Sequence, residues 1–535
     1  MTQEELFKNI ISHCKEYGFV FPSSEIYDGL GAVYDYGPYG VELKNNIREY
    51  WWKAMVQMND NIVGLDASIF MHPSVWKASG HVDAFSDPLI DNKDSKKRYR
   101  ADVLIEEHVA KIETKIDKEV EKAKKRFENF DEAMYRSTNP RVVEYQKKID
   151  EINARFKSAL EKNDLAEVKQ IIIDCEIVCP VSGSRNWTDV RQFNLMFSTQ
   201  MGSVADDSDK IYLRPETAQG IFVNFLNVQR SARMKIPFGI AQTGKAFRNE
   251  IVARQFLFRM REFEQMEMQF FVRPGEEMQW YNAWKEKRIK WHYAMGFGEN
   301  KYRFHDHIKL AHYANAACDI EFAFPFGFKE IEGIHSRTDF DLSAHEKLSG
   351  KKLQYFDAEQ NKSYVPYVIE TSIGLDRMFL AVLASAFEVE KIAPSNSPEG
   401  GEQGHAALHP SGGDGGGLET ERIVLHIPPA LAPVKVAVFP LIKKDGLPEK
   451  AMEIFNNLKN ICRCYYEEKD TIGKRYRRQD AIGTPFCITV DHDSLKDNCV
   501  TLRHRDSMKQ ERIPIDKVAQ IVEEKVSLRK LLSAL

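Results

Sequence analysis

At 535 residues, with 43% hydrophobic and 29% charged residues, the chain has the composition of an ordinary globular protein and is too long for one core, so roughly two to four domains are expected. The formal net charge of −4 is nearly neutral for this size, so global charge neither supports nor excludes RNA, and any nucleic-acid contact must come from local basic patches. No apolar run reaches membrane-spanning length, and the eight scattered cysteines suit reduced, separately buried thiols better than a disulfide framework.

MTQEELFKNIISHCKEYGF opens as a short amphipathic helix with acids early, unlike a secretory signal, so a cytoplasmic protein with no membrane partner is expected. Gly29–Gly40, GLGAVYDYGPYG, superficially resembles a nucleotide-binding loop, but no strand precedes it and its third glycine is misplaced. Val41–Val56 is predicted to be an amphipathic helix with Val41, Ile47, Trp51 and Met55 toward one apolar side. IVGLDASIFMHPSVWKASGH is expected to run as a strand to Pro73. Arg100 stands in KRYRAD, a basic run whose arginines are ordinarily solvated. From about Leu104 to Asp174 the residues are mostly Glu, Lys, Asp and Arg with apolar positions at helical spacing, which predicts an inserted helical subdomain. Cys175 and Cys179 form one CxxxC with no second pair, and Ser182 and Ser184 stand where further thiols would be needed, a poor zinc site.

Tyr212–Phe225, YLRPETAQGIFVNF, carries Glu216 beside Pro215 and Thr217, where a carboxylate is placed to cap a helix. Gly239–Ala246, GIAQTGKA, begins like a P-loop, yet Ala246 replaces the magnesium-binding Ser or Thr and a strand follows rather than a helix. Lys245–Val272, KAFRNEIVARQFLFRMREFEQMEMQFFV, is the most informative stretch. Its second half alternates, with Arg259, Arg261, Phe263, Gln265, Glu267 and Gln269 on one face and Met266, Met268 and Phe270 on the other. Arg248 and Glu250 sit two apart in the first half, and Val252–Phe258 lacks a strand signature, so strand, loop, strand is expected. Arginines crowded beside an aromatic ring point to a bound anion and a stacked ring.

His305, His307 and His312 lie in a polar stretch and read as surface. Phe326–His345 alternates as a strand, with Glu330 and Glu332 on one face. Val365–Phe387 reads as a strand leading into a helix at Gly374, with Leu375, Phe379, Val382 and Phe387 on one side and Arg377 in the first turn, where an anion is favoured. Residues 393–417 are low-complexity and expected to be a flexible loop. A proline-rich hinge at Pro428–Pro433 precedes a predicted α/β domain from Val434: strand, helix Glu449–Cys462, strand, basic helix, two strands and a helix near Lys517–Leu532. GKRYRRQD (Gly473–Asp480) and TLRHRDSMKQER offer basic side chains to RNA phosphates and loop bases.

FRNE, followed after a loop by RMREF, resembles motif 2 of the class II aminoacyl-tRNA synthetases, F-R-x-E then [HR]-x-x-x-F. The long helix, strand and proline of 41–73 resemble motif 1, and GLDR resembles motif 3, G-x-x-R. With LRPETAQG, FEQME and ETSIG, the resemblance is closest to the homodimeric glycyl branch and covers nearly the whole chain. Ser372 replaces the usual leading glycine of motif 3, a departure expected of that branch, whose E-x-S-x-G lines the amino-acid site.

The resemblance implies an α+β chain: a class II antiparallel-sheet catalytic domain (1–103 and 175–433) with a helical insertion (104–174), and a C-terminal α/β anticodon-binding domain (434–535). It implies that ATP is held at Arg248, Asn249, Glu250, Phe258, Arg259, Met260, Arg261, Glu262, Phe263, Glu330, Ile331, Gly374, Leu375, Asp376 and Arg377. Arg248 would grip the α-phosphate, Glu250 the adenine edge, Phe263 the adenine ring and Arg377 the γ-phosphate, with Mg²⁺ at Glu330. Arg248 and Arg377 are the implied catalytic residues, acting by positioning and charge stabilisation without a protein nucleophile. Glycine would sit among Arg100, Glu216, Phe263, Glu264, Gln265, Met266, Glu267, Glu370, Thr371, Ser372, Ile373 and Gly374. The implied partners are glycine, tRNA(Gly) and a second copy of the chain, and the helical insertion either touches the acceptor arm of the tRNA or is a solvated hairpin. A synthetase for another small amino acid and a non-catalytic tRNA-binding descendant are the alternatives. The glycyl set weighs against the first, and the complete set Arg248, Glu250, Phe263 and Arg377 against the second.

Overall fold

The structure, a computed structural model, describes residues 2–126, 130–202, 210–251, 255–307, 310–311, 313–392 and 420–535. His312 and the low-complexity stretch 393–417 lie outside these residues. The chain forms two compact units, one of residues 1–69, 216–246 and 255–535, the other of 70–215 and 247–254.

The first unit is built on a seven-stranded sheet of β1 (Ile62–Gly64), β2 (Phe238–Phe247), β3 (Glu262–Val272), β4 (Tyr302–Asp306), β5 (Ala316–Phe324), β6 (Gly327–Thr338) and β7 (Tyr367–Gly374), in the spatial order β4-β5-β6-β7-β3-β2-β1. The pairs from β4 to β3 are antiparallel, and β1 joins β2 in parallel. The alternation of β3 sends Met266, Met268 and Phe270 into the main apolar core, under the helices Pro38–Trp52, Glu277–Tyr293 and Leu375–Ala386. The opposite face is polar yet sealed from water, with Glu267 2% and Gln269 0% exposed. Register sets Gln269 opposite Glu370 on β7, and Glu370 opposite His335 on β6.

Several local expectations are corrected. Ile47, Trp51 and Met55 are buried on the helix Pro38–Trp52 and its π turn, but Val41 is exposed and Leu43 takes its place on the stripe. Leu43, Ile47, Tyr50 and Trp51 follow the i, i+4, i+7, i+8 rule that Val41 breaks. The strand expected to run to Pro73 is confined to β1, and Pro73 instead opens a helix, Pro73–Ala78, at the position where its missing N–H costs nothing. GIAQTGKA lies within β2, so it forms no P-loop. The chain leaves the sheet after Phe247, because Asn249 N–H donates to the Leu195 carbonyl at 2.8 Å rather than to a neighbouring strand. Arg248 and Glu250 therefore lie outside any strand, and Arg259 and Arg261 precede β3.

Beneath the sheet, Glu332 of β6 meets Arg288 and His292, which are four apart on one helix face; all three are at most 3% exposed. Burial raises the Glu332 carboxyl, but Arg288 and then His292 hold it below the usual range. Its stabilising effect is thus present at neutral pH and is lost as pH falls through that depressed value. Glu332→Gln leaves Arg288 buried and unpaired, and is expected to cost about 3–5 kcal/mol in denaturant unfolding. An unchanged unfolding midpoint would mean that the ion pair contributes nothing net.

The C-terminal sheet of this unit has five strands, ordered Cys464–Tyr466, Val436–Pro440, Phe486–Val490, Cys499–His504 and Gln510–Pro514, with helices Leu447–Leu458, Ile472–Ile482 and Ile515–Val526. Three strands, not two, follow the basic helix. Most of the basic residues noted there serve the fold: Arg475 donates to the Pro440 and Leu441 carbonyls, Arg503 to Asp480, Arg505 to the Gly483 carbonyl and Arg512 to Asp491 and Asp497. Lys474, Arg477 and Lys509 remain exposed.

In the second unit the strands Ser86–Asn92, Lys97–Arg100 and Arg191–Asn194 form a sheet, and the helices Ala101–Lys124, Glu132–Thr138, Pro140–Glu161 and Leu165–Asp174 follow the helical spacing of the insertion. Ile105, Ile112, Ile116, Val168 and Ile171 share a core with Ile90 and Tyr99 of the sheet, so the unit extends well beyond 104–174. Cys179 takes hydrogen bonds from the region of Ser95, Tyr99 and Ser182; despite burial, these bring its thiol down to about 6. No helix among the described residues is long and apolar enough to cross a membrane.

Candidate active site

The polar face of β3, β7 and β6 carries a cluster of buried ionisable groups. Gln265, Glu267 and Gln269 project from β3, Glu370 and Ser372 from β7, and His335 and Arg337 from β6. The loop before the helix Ala218–Val223 adds Glu216 and Thr217, the helix itself Gln219, and the helix Phe340–Ser349 adds Asp341 and His345.

Arg337 is the hub. Its Nε and Nη2 donate to Asp341 at 2.8 and 3.0 Å, and its Nη1 to the two oxygens of Glu370 at 3.0 and 3.2 Å. The Tyr313 ring lies 4.2 Å beneath the guanidinium. His335 Nδ1 lies 2.6 Å from Glu370. Gln269 Nε2 bridges Glu267 and Glu370 at 2.9 and 2.8 Å, and Thr217 Oγ1 donates to Glu267. Gln219 Nε2 joins Glu216 to Asp341, both at 3.0 Å, and His345 Nε2 meets Gln219 Oε1 at 2.8 Å. Gln265 links the Thr217 N–H to the Ser372 hydroxyl.

This geometry splits the carboxyls. Burial raises Glu370, yet Arg337 and then His335 hold it well below the usual range. Glu267 is pushed well above that range by burial, by Glu370 and by Glu216. Burial alone would lower His335, but Glu370 raises it above its ordinary value.

A second cluster gathers around Arg377, in the first turn of the helix Leu375–Ala386. Its guanidinium donates to the carbonyls of Phe258 and Glu330 at 3.2 and 3.1 Å, pairs with the Glu330 carboxylate at 3.1 Å, and lies 4.3 Å over the Phe258 ring. Phe263 is half-buried at the start of β3, and Arg261 Nη1 donates to the Gly31 carbonyl at 2.9 Å. Glu262 pairs with Lys245.

Other expected residues face elsewhere. Met266, Thr371, Ile373, Leu375 and Ile331 are at most 1% exposed, and Met260 is buried, all on the core side. Glu264 is clasped by Arg48 at 2.7 and 2.9 Å, and Asp376 accepts from Lys44 at 2.8 Å and from the Glu264 N–H at 2.7 Å. These two acids fasten the helix Pro38–Trp52 to the sheet; their side chains are committed there. Any contribution of this group to a ligand is through the backbone.

In the second unit Arg248 Nε donates to the Pro215 carbonyl at 3.0 Å, with its guanidinium 5.5 Å from the Phe85 ring. Arg100, far from being solvated, pairs with Asp87 at 3.1 Å and Asp102 at 2.6 Å and feels the charge of Glu250. Sequence reasoning passes over Gln219, Gln269, His335, Arg337, Asp341 and His345 as site residues. Gln269 continues the alternation of Gln265 and Glu267, and His335 and Arg337 are two apart on a stretch already read as a strand, so the signal was present.

Three family models match the chain: "Glycyl-tRNA synthetase insertion domain 1" at residues 87–195, "tRNA synthetase class II core domain (G, H, P, S and T)" at 197–386 and "Anticodon binding domain" at 435–525. The chain is 48% identical over 519 residues to a glycine–tRNA ligase of Chlorobaculum tepidum, covering 97% of this chain and 99% of that one. It is 48% identical over 522 residues to one of Staphylococcus haemolyticus, with 97% and 99% covered, and 48% identical over 510 residues to one of Treponema denticola, with 95% and 94% covered. Matched along almost its whole length to such enzymes, with a class II core around its antiparallel sheet, the chain belongs to the glycine–tRNA ligase family of class II aminoacyl-tRNA synthetases.

Proposed function

We propose that the protein charges tRNA(Gly) with glycine. The observation that carries the reading is the buried carboxyl pair Glu267 and Glu370, with Glu216 beside it, which is the chemistry an ammonium group seeks. The walls are FEQME (Phe263–Glu267) and ETSIG (Glu370–Gly374), and selection works by crowding out larger amino acids.

In the first step a glycine carboxylate oxygen attacks the α-phosphorus of ATP. The bond to the β-phosphate oxygen breaks, and pyrophosphate leaves with the electron pair. In the second step the terminal adenosine of tRNA takes the glycyl group and AMP departs. Arg377 holds the γ-phosphate by position and charge, and Phe263 stacks on adenine. Class II synthetases use Mg²⁺ with ATP, and Mg²⁺ is held by one or two carboxylates with phosphates and water completing its shell. Glu330 suits that role, since its carboxylate is half-exposed and already beside Arg377. The ion would supply positive charge to the β- and γ-phosphates.

Within the two basic segments the exposed Lys474, Arg477 and Lys509 offer positive charge to tRNA phosphates. The protein works as a homodimer in the cytoplasm, where its tRNA is charged. Amino-acid-dependent ATP–pyrophosphate exchange, run with each amino acid separately and without tRNA, is expected to proceed with glycine alone. Exchange with another amino acid would overturn the pocket assignment, and none with any would favour a binding protein or a site ordered by tRNA.

A further inference from the structure

Among the described residues Glu267 meets no cation, although the neighbouring carboxyl of Glu370 meets two. Glu216, Glu267, Glu370 and Asp341 converge from four segments, and among the described residues the cations bonded to Glu370 and Asp341 are Arg337 and His335. Both are committed: Arg337 divides its guanidinium between Asp341 and Glu370, and His335 bonds Glu370. His345 meets the neutral Gln219. Glu267 is left with neutral donors, the Thr217 hydroxyl and the Gln269 amide, and no ion pair reaches it among the described residues.

Two further observations bear on Glu267. Gln269 Nε2 bonds both carboxyls, at 2.9 Å to Glu267 and 2.8 Å to Glu370, so the two buried acids converge on one amide, and the charge of Glu370 disfavours a second charge on Glu267. The orientation of Gln269 agrees: with Nε2 turned to both carboxyls, its Oε1 is buried without a donor, an open acceptor beside them. An ammonium group brings three N–H donors and one positive charge, which is what this arrangement lacks.

We propose that the empty pocket stores a proton on Glu267 and that the ammonium group of glycine takes its place, so that each glycine bound releases about one proton to solvent. The charge balance is simple: a neutral Glu267 gives up H⁺ and meets R–NH₃⁺, leaving the net charge of the pocket unchanged. This avoids an unpaired buried anion in the empty enzyme and gives the amino-acid site a built-in pH dependence. Because the proton must leave, rising pH favours glycine. The inference rests on the reading above that glycine binds here.

The test is calorimetric titration of the full-length protein with glycine at one near-neutral pH, in phosphate and in Tris, whose ionisation heats differ widely. The apparent binding enthalpies are expected to differ by the full difference between the buffers, equivalent to about one proton per glycine. In Glu267→Gln the buffer dependence is expected to vanish, and in Glu216→Gln to persist while glycine binds more weakly. Below the Glu267 titration the dissociation constant for glycine should fall about tenfold per pH unit in the parent and stay level in Glu267→Gln. Equal enthalpies in both buffers, with glycine weakened in both variants, overturn the stored proton and leave the site standing. Glycine affinity unchanged in both variants overturns the site and the proton with it. Undiminished proton release in Glu267→Gln places the proton elsewhere and also overturns the proposal.

Discussion

Arg377→Ala is expected to lower glycine-dependent ATP–pyrophosphate exchange by about 10²–10³-fold, the scale seen when one preorganised donor to a developing charge is removed. The guanidinium is held in place before any nucleotide arrives: two carbonyls, the Glu330 carboxylate and the Phe258 ring fix its plane. It sits at the start of a helix whose free N–H groups favour an anion as well. Two effects would therefore act on a phosphate bound there, and removing the side chain would leave only the weaker. Arg377→Lys keeps the charge but loses the fork and the stacking on Phe258, and is expected to recover only part of the loss. Side-chain exposure of 24% means that neither change opens a core, so unfolding should be little affected. Exchange within a few-fold of the parent, for both variants, would show that Arg377 merely closes the helix onto Phe258 and Glu330.

The sheet was readable from the chain wherever one period ran uninterrupted. The alternation in FEQMEMQFF placed Met266, Met268 and Phe270 in the core and Gln265, Glu267 and Gln269 opposite, because a two-residue period admits only that division. The departure of the chain after Phe247 was not readable, since the hydrogen-bond partner of Asn249 is the Leu195 carbonyl, dozens of residues upstream. The basic C-terminal segments misled for a similar reason. Arg475 and Arg505 look like RNA contacts in sequence, but backbone carbonyls at Pro440, Leu441 and Gly483 consume their donors, and nothing in a run of letters marks a carbonyl as free. Glu264 stands within a motif yet serves Arg48, because adjacent strand positions point to opposite faces, and Asp376, in the first turn of the helix Leu375–Ala386, serves Lys44. Half of the buried polar cluster was legible through Glu216, Glu267 and Glu370. The other half, Arg337 with Asp341 and Gln219, depends on which helices pack over the sheet.

That other half carries the second large effect. Arg337→Met is expected to destabilise the sheet-bearing unit by about 3–5 kcal/mol, the usual result of removing one partner from a buried ion cluster. Arg337 is 6% exposed and pairs with two acids, Asp341 and Glu370, that are themselves 2% and 4% exposed, so no water can replace it. Methionine fills similar volume, which separates lost charge from lost packing. The variant also changes the pocket electrically: without Arg337, burial pushes Glu370 upward, and two neighbouring carboxyls then compete to stay neutral. The KM for glycine should consequently rise far more than the KM for ATP. Since a chain of this size unfolds in more than one step, the stability change belongs to the transition that glycine itself raises. Adding Glu370→Gln removes one orphaned charge and should restore part of the stability of Arg337→Met without restoring glycine binding, a non-additivity expected of groups in direct contact. If the double variant recovers neither, Arg337 acts through Asp341 and the helix Phe340–Ser349 alone. If it recovers glycine binding as well, the Glu370 carboxylate is not what the ammonium group meets, and Arg337 serves only to hold β6 against the helix.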